Sequence, residues 1–258
     1  CAGAGLVTAA VPEGLYPAVA AQLPEAIHLP LPERDGHFAL EALEMLAREA
    51  DKYACAAVGP GMGRFPDGER FLRGVLESFS GKPVVVDADA LFLLRGQLDL
   101  AAKHGAPVLL TPHPGEMAAL LGGDASARGV ERDRIGIARA FAEKHGVYLL
   151  LKGHRTVAAA PSGEVWINPI GGDALGKGGS GDVLTGVIAA FLAQGAEPLA
   201  AMLAAAYVHA AAGERKAREL SGYGVLPLDL ADGVRRILGS VPFSQQSPGR
   251  NRLDNGSQ

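Results

Sequence analysis

Residues 176–191, GKGGSGDVLTGVIAAF, form a glycine-rich turn that runs directly into an apolar helix. The small residues of the turn leave backbone N–H groups exposed at the positive end of the helix dipole, which is a typical place to bind a phosphate. The spacing of a Walker A loop, GxxxxGK[ST], is absent. A carboxylate beside an anion site disfavours phosphate binding, so we interpret Asp182 as a general base for a hydroxyl that attacks the phosphate. Its alternative role is a helix N-cap.

Short apolar runs alternate with segments of helical spacing along most of the chain. The predicted strands are residues 6–11, 54–58, 83–86, 107–110, 147–151 and 156–160. The predicted helices are residues 40–50, 70–79, 115–121 and 132–145, with two more after the turn at roughly 183–194 and 198–217. Residues 149–167 predict a hairpin. This pattern predicts an α/β fold with a mostly parallel sheet covered by helices on both faces.

The composition limits the classes of partner. The 258-residue chain has a formal net charge of −4 and a pI near 6.0, which argues against nucleic acid or an anionic membrane as a partner. Two cysteines cannot support a disulfide framework and no signal peptide is visible, so we expect a cytoplasmic protein. Every stretch of about 18 residues contains Gly, Pro or charge, which excludes a membrane span.

The length of the chain and the lack of a dividing linker predict a single domain over residues 1–243. The first residue is Cys1 and not Met, so we expect a fragment that lacks its natural start. Residues 244–258 are polar and contain few apolar side chains, and we expect a disordered or foreign tail.

In open α/β sheets, ligands bind beyond the carboxyl ends of the strands, and unusual residues follow several of the predicted strands. The turn GPGMG at residues 59–63 would let backbone approach a ligand closely, with a plain tight turn as the alternative. Asp87 and Asp89 place two carboxylates on the same side of an extended segment, where they could hold a magnesium ion through water. For Asp89 alone we favour an N-cap of a helix that starts at Ala90.

Two further loops offer candidate ligand-binding groups. In Thr111–Gly115, TPHPG, two prolines stiffen the backbone around His113 and would fix its imidazole against a ligand. A histidine that bonds only its own loop is an equal alternative. Residues 152–156, KGHRT, carry cations that suit the phosphates of a nucleotide. Scattered surface cations are the alternative, particularly for Arg155.

Taken together, GPGMG, DADAL, LTPHPGEM, LKGHRTV and GGSGDVLTG, in this order and across nearly the whole of residues 1–240, resemble the NAD(P)H-hydrate dehydratase family. That family has the ribokinase-like fold, a three-layer α/β/α sandwich with a mostly parallel central sheet. Any one motif is a weak signal, whereas five in register are specific. The combination of TPHPGE with GG[ST]GD separates this family from ribokinase relatives that act on vitamins or sugars.

The resemblance implies an ADP- or ATP-dependent enzyme, using magnesium, that repairs NADHX and NADPHX, the hydrated forms of NADH and NADPH. The nucleotide would phosphorylate the substrate's ring hydroxyl, and elimination of phosphate would restore the reduced nicotinamide. Asp182 would be the catalytic base. The implied anion hole is Gly178, Gly179, Ser180 and Gly181. The implied nucleotide contacts are Lys152, Gly153, His154, Arg155, Thr156 and Gly181, and the implied substrate contacts are Gly61, His113 and Asp182. The metal ligands stay open.

The resemblance also implies a homo-oligomer, with a tetramer as one form, and fusion to or cooperation with an NAD(P)HX epimerase. We favour ADP as the phosphate donor.

Family members usually begin with a further strand, glycine-rich turn and helix before the segment matching residues 3–7, so we expect that wall of the substrate pocket to be missing. Phe92 stands where the family often has asparagine. The alternatives are a ribokinase-like kinase of a small hydroxylated metabolite and a non-catalytic nucleotide-binding protein.

Overall fold

The computed structural model describes residues 2–241. The strands are β1 (Thr8–Pro12), β2 (Ile27–Leu31), β3 (Glu33–Arg34), β4 (His37–Phe38), β5 (Ala56–Val58), β6 (Val84–Val86), β7 (Val108–Leu110), β8 (Tyr148–Leu151), β9 (Val157–Ala159) and β10 (Val165–Ile167). The α-helices are α1 (Tyr16–Gln22), α2 (Ala42–Glu49), α3 (Gly68–Ser78), α4 (Ala88–Leu94), α5 (Asp99–Ala102), α6 (Pro114–Leu121), α7 (Ala127–Arg132), α8 (Arg134–His145), α9 (Ser180–Ala193), α10 (Pro198–Leu220) and α11 (Pro227–Gly239). Within this part of the chain, no helix combines the length and apolar character needed to span a membrane.

Six strands form the central sheet, in the order β10-β9-β8-β7-β6-β5. Strands β5 to β8 are parallel, and helices connect each of them to the next. Strands β9 and β10 are antiparallel to their neighbours and form the hairpin that the sequence predicted. The mostly parallel sheet is confirmed.

The sheet lies between two layers of helices, because alternate residues of a strand face opposite sides. In β6, Val84 and Val86 pack into the core formed with α2 to α8. Val85 packs into the core on the other side, with α9, α10 and α11. All three valines are fully buried. The three-layer α/β/α architecture implied by the family resemblance is confirmed.

The first strand departs from the predicted arrangement. β1 lies in the expected segment, but it pairs in parallel with β2 in a separate two-stranded sheet. The sequence did not predict β2, because His28 and Pro30 interrupt its apolar residues. The domain limits 1–243 stay a prediction. Cys1 and the expected disordered tail at 244–258 lie outside the described residues.

The loops after β5 and β6 pass each other so closely that only glycine fits at the crossing. Gly59 has a φ of +121°, and a Cβ at that position would lie 1.8 Å from the carbonyl oxygen of Asp87. The N–H of Asp87 donates to the carbonyl oxygen of Val58 at 3.0 Å. The carboxyl end of the sheet is therefore a tightly packed platform from which the following loops extend.

Candidate active site

Helix α9 begins in the glycine-rich turn, and its first residues leave backbone donors free. Gly179 is the N-cap, with a φ of +87°, and a Cβ there would lie 2.8 Å from Pro227. Within residues 2–241, the N–H groups of Gly178, Gly179, Gly181 and Asp182 donate to no protein acceptor. Free donors at the positive end of a 14-residue helix are the arrangement that anion-binding helix starts use.

Ser180 differs from the other residues of the predicted anion hole. Its N–H donates to the carbonyl oxygen of Lys177 at 3.1 Å. Its hydroxyl is buried and lies 3.2 Å from Nε2 of His209 on α10. The N–H and the hydroxyl of Ser180 are therefore engaged within the protein, and the four-residue anion hole stays a prediction. Nothing in the local sequence around His209 signals this contact, because the two residues lie 29 positions apart.

Lys152 supplies a fixed positive charge at the start of α9. It follows β8, and its Nζ donates to Oδ1 of Asp87 at 2.8 Å and lies 3.8 Å from Oε2 of Glu116. The same Nζ lies 3.0 Å from the point where a Cβ on Gly181 would be. Glycine at position 181 thus lets the ammonium group approach the helix backbone, and the cation reinforces the anion site.

Asp87 is a buried carboxylate beneath this cation. Only 1% of the residue is exposed, and its Oδ2 accepts a 2.7 Å hydrogen bond from the hydroxyl of Thr185. Burial by itself raises the pKa of Asp87, but the charge and hydrogen bond of Lys152 and the hydrogen bond of Thr185 outweigh it and hold the pKa below its usual value. Asp87 is therefore ionised at neutral pH.

Asp182 lies in the first turn of α9, so the alternative role as its N-cap is wrong, because Gly179 occupies that position. Burial raises the pKa of Asp182 above its usual value, and the negative charge of Asp87 raises it further, while Lys152 opposes both effects. A higher pKa makes the carboxylate a stronger proton acceptor. The environment of Asp182 is consistent with the predicted general base.

The predicted nucleotide-binding segment 152–156 forms the loop between β8 and β9. Gly153, His154 and Arg155 are exposed, and the hydroxyl of Thr156 donates to the carbonyl oxygen of Gly153 at 3.1 Å. Beneath the loop lies Arg134, whose guanidinium donates to the carbonyl oxygen of Leu151 at 2.9 Å and packs against Gly153. The structure brings Lys152 to the start of α9. The nucleotide contacts of residues 153–156 stay predictions.

His113 bonds its own loop, which was one of its two interpretations. It is the N-cap of α6, and its Nδ1 accepts hydrogen bonds from the N–H groups of Gly115 and Glu116 at 3.0 and 3.3 Å. The N–H of His113 donates to Oε2 of Glu116 at 2.7 Å, which completes a capping box. The imidazole is exposed on its other side. Contact of His113 with a substrate stays a prediction.

Asp89 fixes the glycine-rich turn after β5, so the predicted N-cap role is wrong. Helix α4 begins at Ala88, and Asp89 instead accepts hydrogen bonds from the N–H of Gly63 at 3.0 Å and from Nε of Arg64 at 3.1 Å. Gly61 is exposed in the same turn, with a φ of +67°. Asp89 therefore holds the backbone that carries the predicted substrate contact.

A three-layer α/β/α fold with a mostly parallel sheet, and with a glycine-rich helix start beside a lysine, places the chain in the ribokinase-like class. A crystal structure of a ribokinase-like superfamily protein from Enterococcus faecalis superposes with a TM-score of 0.72 at 25% identity, covering 91% of this chain and 77% of that one. The crystal structure of ADP/ATP-dependent NAD(P)H-hydrate dehydratase from Bacillus subtilis, co-crystallised with ATP and Mg²⁺ and soaked with CoA, gives 0.76 at 29% identity, covering 92% and 82%.

Sequence comparison narrows the class to one family. The family model described as NAD(P)H-hydrate dehydratase matches residues 1–236. The bifunctional NAD(P)H-hydrate repair enzyme of Moorella thermoacetica is 41% identical over 238 residues, which cover 92% of this chain and 44% of that enzyme. The chain therefore spans a little under half the length of this relative. It belongs to the NAD(P)H-hydrate dehydratase family, as its five motifs predicted.

Proposed function

We propose that this chain uses ADP or ATP to dehydrate NADHX and NADPHX to NADH and NADPH. The observation that carries the proposal is that the ammonium group of Lys152 lies next to Gly181 at the start of α9. This helix start has free N–H groups, and Asp182 follows Gly181 in the same turn of the helix. A phosphate bound there meets backbone donors and a cation, with a basic carboxylate next to it. The substrate class comes from the family to which the chain belongs.

The residues take separate roles in the proposed reaction. Asp182 accepts the proton of the ring hydroxyl, and the hydroxyl oxygen attacks the terminal phosphorus of the nucleotide. A new P–O bond forms as the bond to the bridging oxygen breaks, and AMP or ADP leaves. Lys152 and the N–H groups of Gly178, Gly179 and Gly181 stabilise the charge on the phosphoryl group. Elimination then breaks the carbon–oxygen bond with loss of a ring proton, which gives inorganic phosphate and NAD(P)H.

The side chains at this edge of the sheet fit a magnesium ion that enters the site already bound to the nucleotide phosphates. Among residues 2–241, no group of three or more His, Cys, Asp or Glu side chains is placed to hold a metal ion. Asp87 and Asp89, the predicted pair, each bond other partners. Mg²⁺ keeps several waters and takes its remaining ligands from phosphates and one or two carboxylates. Bound to the nucleotide in this way, the ion would neutralise phosphate charge.

The proposal also includes the ligand contacts, the partner and the location that the family resemblance implied. Residues 153–156 would contact the nucleotide, and Gly61 and His113 the hydrated nicotinamide. The relative from Moorella thermoacetica is named a bifunctional repair enzyme, which supports fusion to or cooperation with an NAD(P)HX epimerase. We also propose a homo-oligomer, with a tetramer as its form, and a cytoplasmic location.

A ribokinase-like kinase would share the first half of this chemistry, because both reactions transfer a phosphoryl group to a hydroxyl. The two differ in their products. Incubation with NADHX or NADPHX, magnesium, and ADP or ATP in parallel should restore the near-ultraviolet absorbance of the reduced nicotinamide and release inorganic phosphate. Accumulation of a stable phosphorylated product without that absorbance would instead identify a kinase. The parallel reactions also identify the phosphate donor.

A further inference from the structure

Asp87 takes no part in the bonds that form or break in the proposed reaction, yet it is buried directly beside the groups that do. We propose that Asp87 is a positioning residue that holds the ammonium group of Lys152 against Gly181 and so sets the electrostatic balance between Lys152 and Asp182. This inference rests on the proposed function and deepens it, because it assigns a role to a buried charge that the reaction itself does not require.

Both carboxylate oxygens of Asp87 accept hydrogen bonds from side chains at this site. Oδ1 accepts from Nζ of Lys152 at 2.8 Å, and Oδ2 accepts from the hydroxyl of Thr185 at 2.7 Å. Thr185 is 2% exposed and lies one turn after Gly181 in α9. The carboxylate therefore joins the end of β8 to the helix whose start binds the phosphate.

The position of Lys152 depends on this anchor. A lysine side chain has four rotatable bonds and loses considerable rotamer entropy when it is held in one conformation. The ion pair with Asp87 fixes Nζ before a ligand binds, at 3.0 Å from where a Cβ of Gly181 would lie. A cation that is already in place stabilises developing charge without reorganisation during the reaction.

Asp182 faces opposite charges from two elements. Asp87 at the start of α4 raises the pKa of Asp182, and Lys152 after β8 lowers it, in addition to the larger effect of burial. Glu116 on α6, 3.8 Å from Lys152, is the further charged group at this edge. Removal of the Asp87 charge and removal of the Lys152 charge must therefore move the pKa of Asp182 in opposite directions.

The test is a titration of the Asp182 carboxyl by carbon-detected NMR in the full chain, with the signal assigned by its loss in Asp182→Asn. Asp87→Asn keeps the shape of the side chain but removes its charge, and the pKa of Asp182 should fall. Lys152→Met should raise it. Asp124→Asn, the matched control, removes a carboxylate charge in an exposed loop away from the site and should leave the pKa of Asp182 unchanged.

A second measurement, the affinity for ADP, tests whether Asp87 holds Lys152 at the phosphate site. Calorimetric titration with ADP should show about tenfold weaker binding to Asp87→Asn than to wild type, because the cation is no longer held at the phosphate site. An unchanged Asp182 pKa in Asp87→Asn, or recovery of its ADP affinity on adding magnesium alone, would overturn the proposal. If Asp87→Asn does not fold, the Lys152→Met titration decides, and the absence of an upward shift overturns it. Neither readout uses NADHX, so a wild-type protein that is inactive on NADHX refutes the proposed function separately.

Discussion

The hydroxyl of Ser180 and Nε2 of His209 lie 3.2 Å apart inside the protein, and this contact joins the start of α9 to the middle of α10. Burial lowers the pKa of His209 to about 4, with the polar backbone of Ser180 acting against it and the charge of Lys152 acting in the same direction as burial. The imidazole is therefore neutral at pH 7. A neutral, buried histidine therefore contacts the turn that we propose binds the phosphate.

We expect the free energy of unfolding to decrease as the pH falls from about 6.5 to about 4. In this range the unfolded chain protonates His209 while the folded protein does not, so the unfolded state binds more protons and stability rises with pH. The shift corresponds to about 3 kcal/mol. Urea unfolding at a series of pH values measures it. His209→Gln should show a shallower pH dependence over this range, and an identical slope in that variant would contradict the assignment.

Ser180→Ala should destabilise the protein but leave nucleotide binding nearly intact. The substitution leaves Nε2 of His209 buried without a partner, which costs about 1–3 kcal/mol. ADP affinity should stay within about threefold, because the Ser180 hydroxyl already bonds inside the protein. The matched control is Ser162→Ala, in the exposed turn between β9 and β10, with an expected effect below about 0.5 kcal/mol. A large loss of ADP affinity at unchanged stability would show that the Ser180 hydroxyl binds phosphate.

Gly179→Ala and Gly178→Ala form a matched pair that tests the backbone of the turn. Position 179 has a φ of +87° and a Cβ would press on Pro227 of α11, so alanine should cost at least about 1–2 kcal/mol. A Cβ at position 178 meets no atom within 4 Å, and that variant should match wild type in stability. Thermal unfolding compares the two. Equal melting temperatures would mean that Gly179 is not constrained as the structure indicates.

The sequence predicted the contiguous parts of the site but not the contacts between them. The turn at residues 178–182 and the loop at 152–156 are local patterns, and both occur where expected. The ion pair of Lys152 with Asp87 joins residues 65 apart in sequence, and the hydrogen bond from Thr185 to Asp87 spans 98 positions. Such contacts depend on which strands lie side by side in the sheet, and local spacing does not contain that information.

Asp89 shows the same limit. A carboxylate before an apolar helical segment is a good N-cap by local pattern, but α4 begins two residues earlier than predicted, at Ala88, after an N-cap at Asp87. Asp89 is then free to bond Gly63 and Arg64, which lie 26 and 25 positions away. The first strand was likewise recognised from its apolar residues, while its partner β2 was not, because half-exposed strands with polar insertions give a weak pattern.

Asp182→Asn should abolish turnover while nucleotide binding persists. An amide cannot accept the proton of the attacking hydroxyl, and loss of a general base lowers the rate by about 10²–10⁴-fold. The free N–H donors of the turn and the ammonium group of Lys152 stay in place, and one negative charge beside the phosphate disappears, so ADP affinity should be equal or higher. Turnover of NADHX and a calorimetric ADP titration measure the two effects independently.

Asp124→Asn, in an exposed loop, is the matched control and should behave as wild type. Full activity of Asp182→Asn would remove Asp182 from the mechanism, and a parallel loss of ADP binding would assign it to the nucleotide site instead of proton transfer.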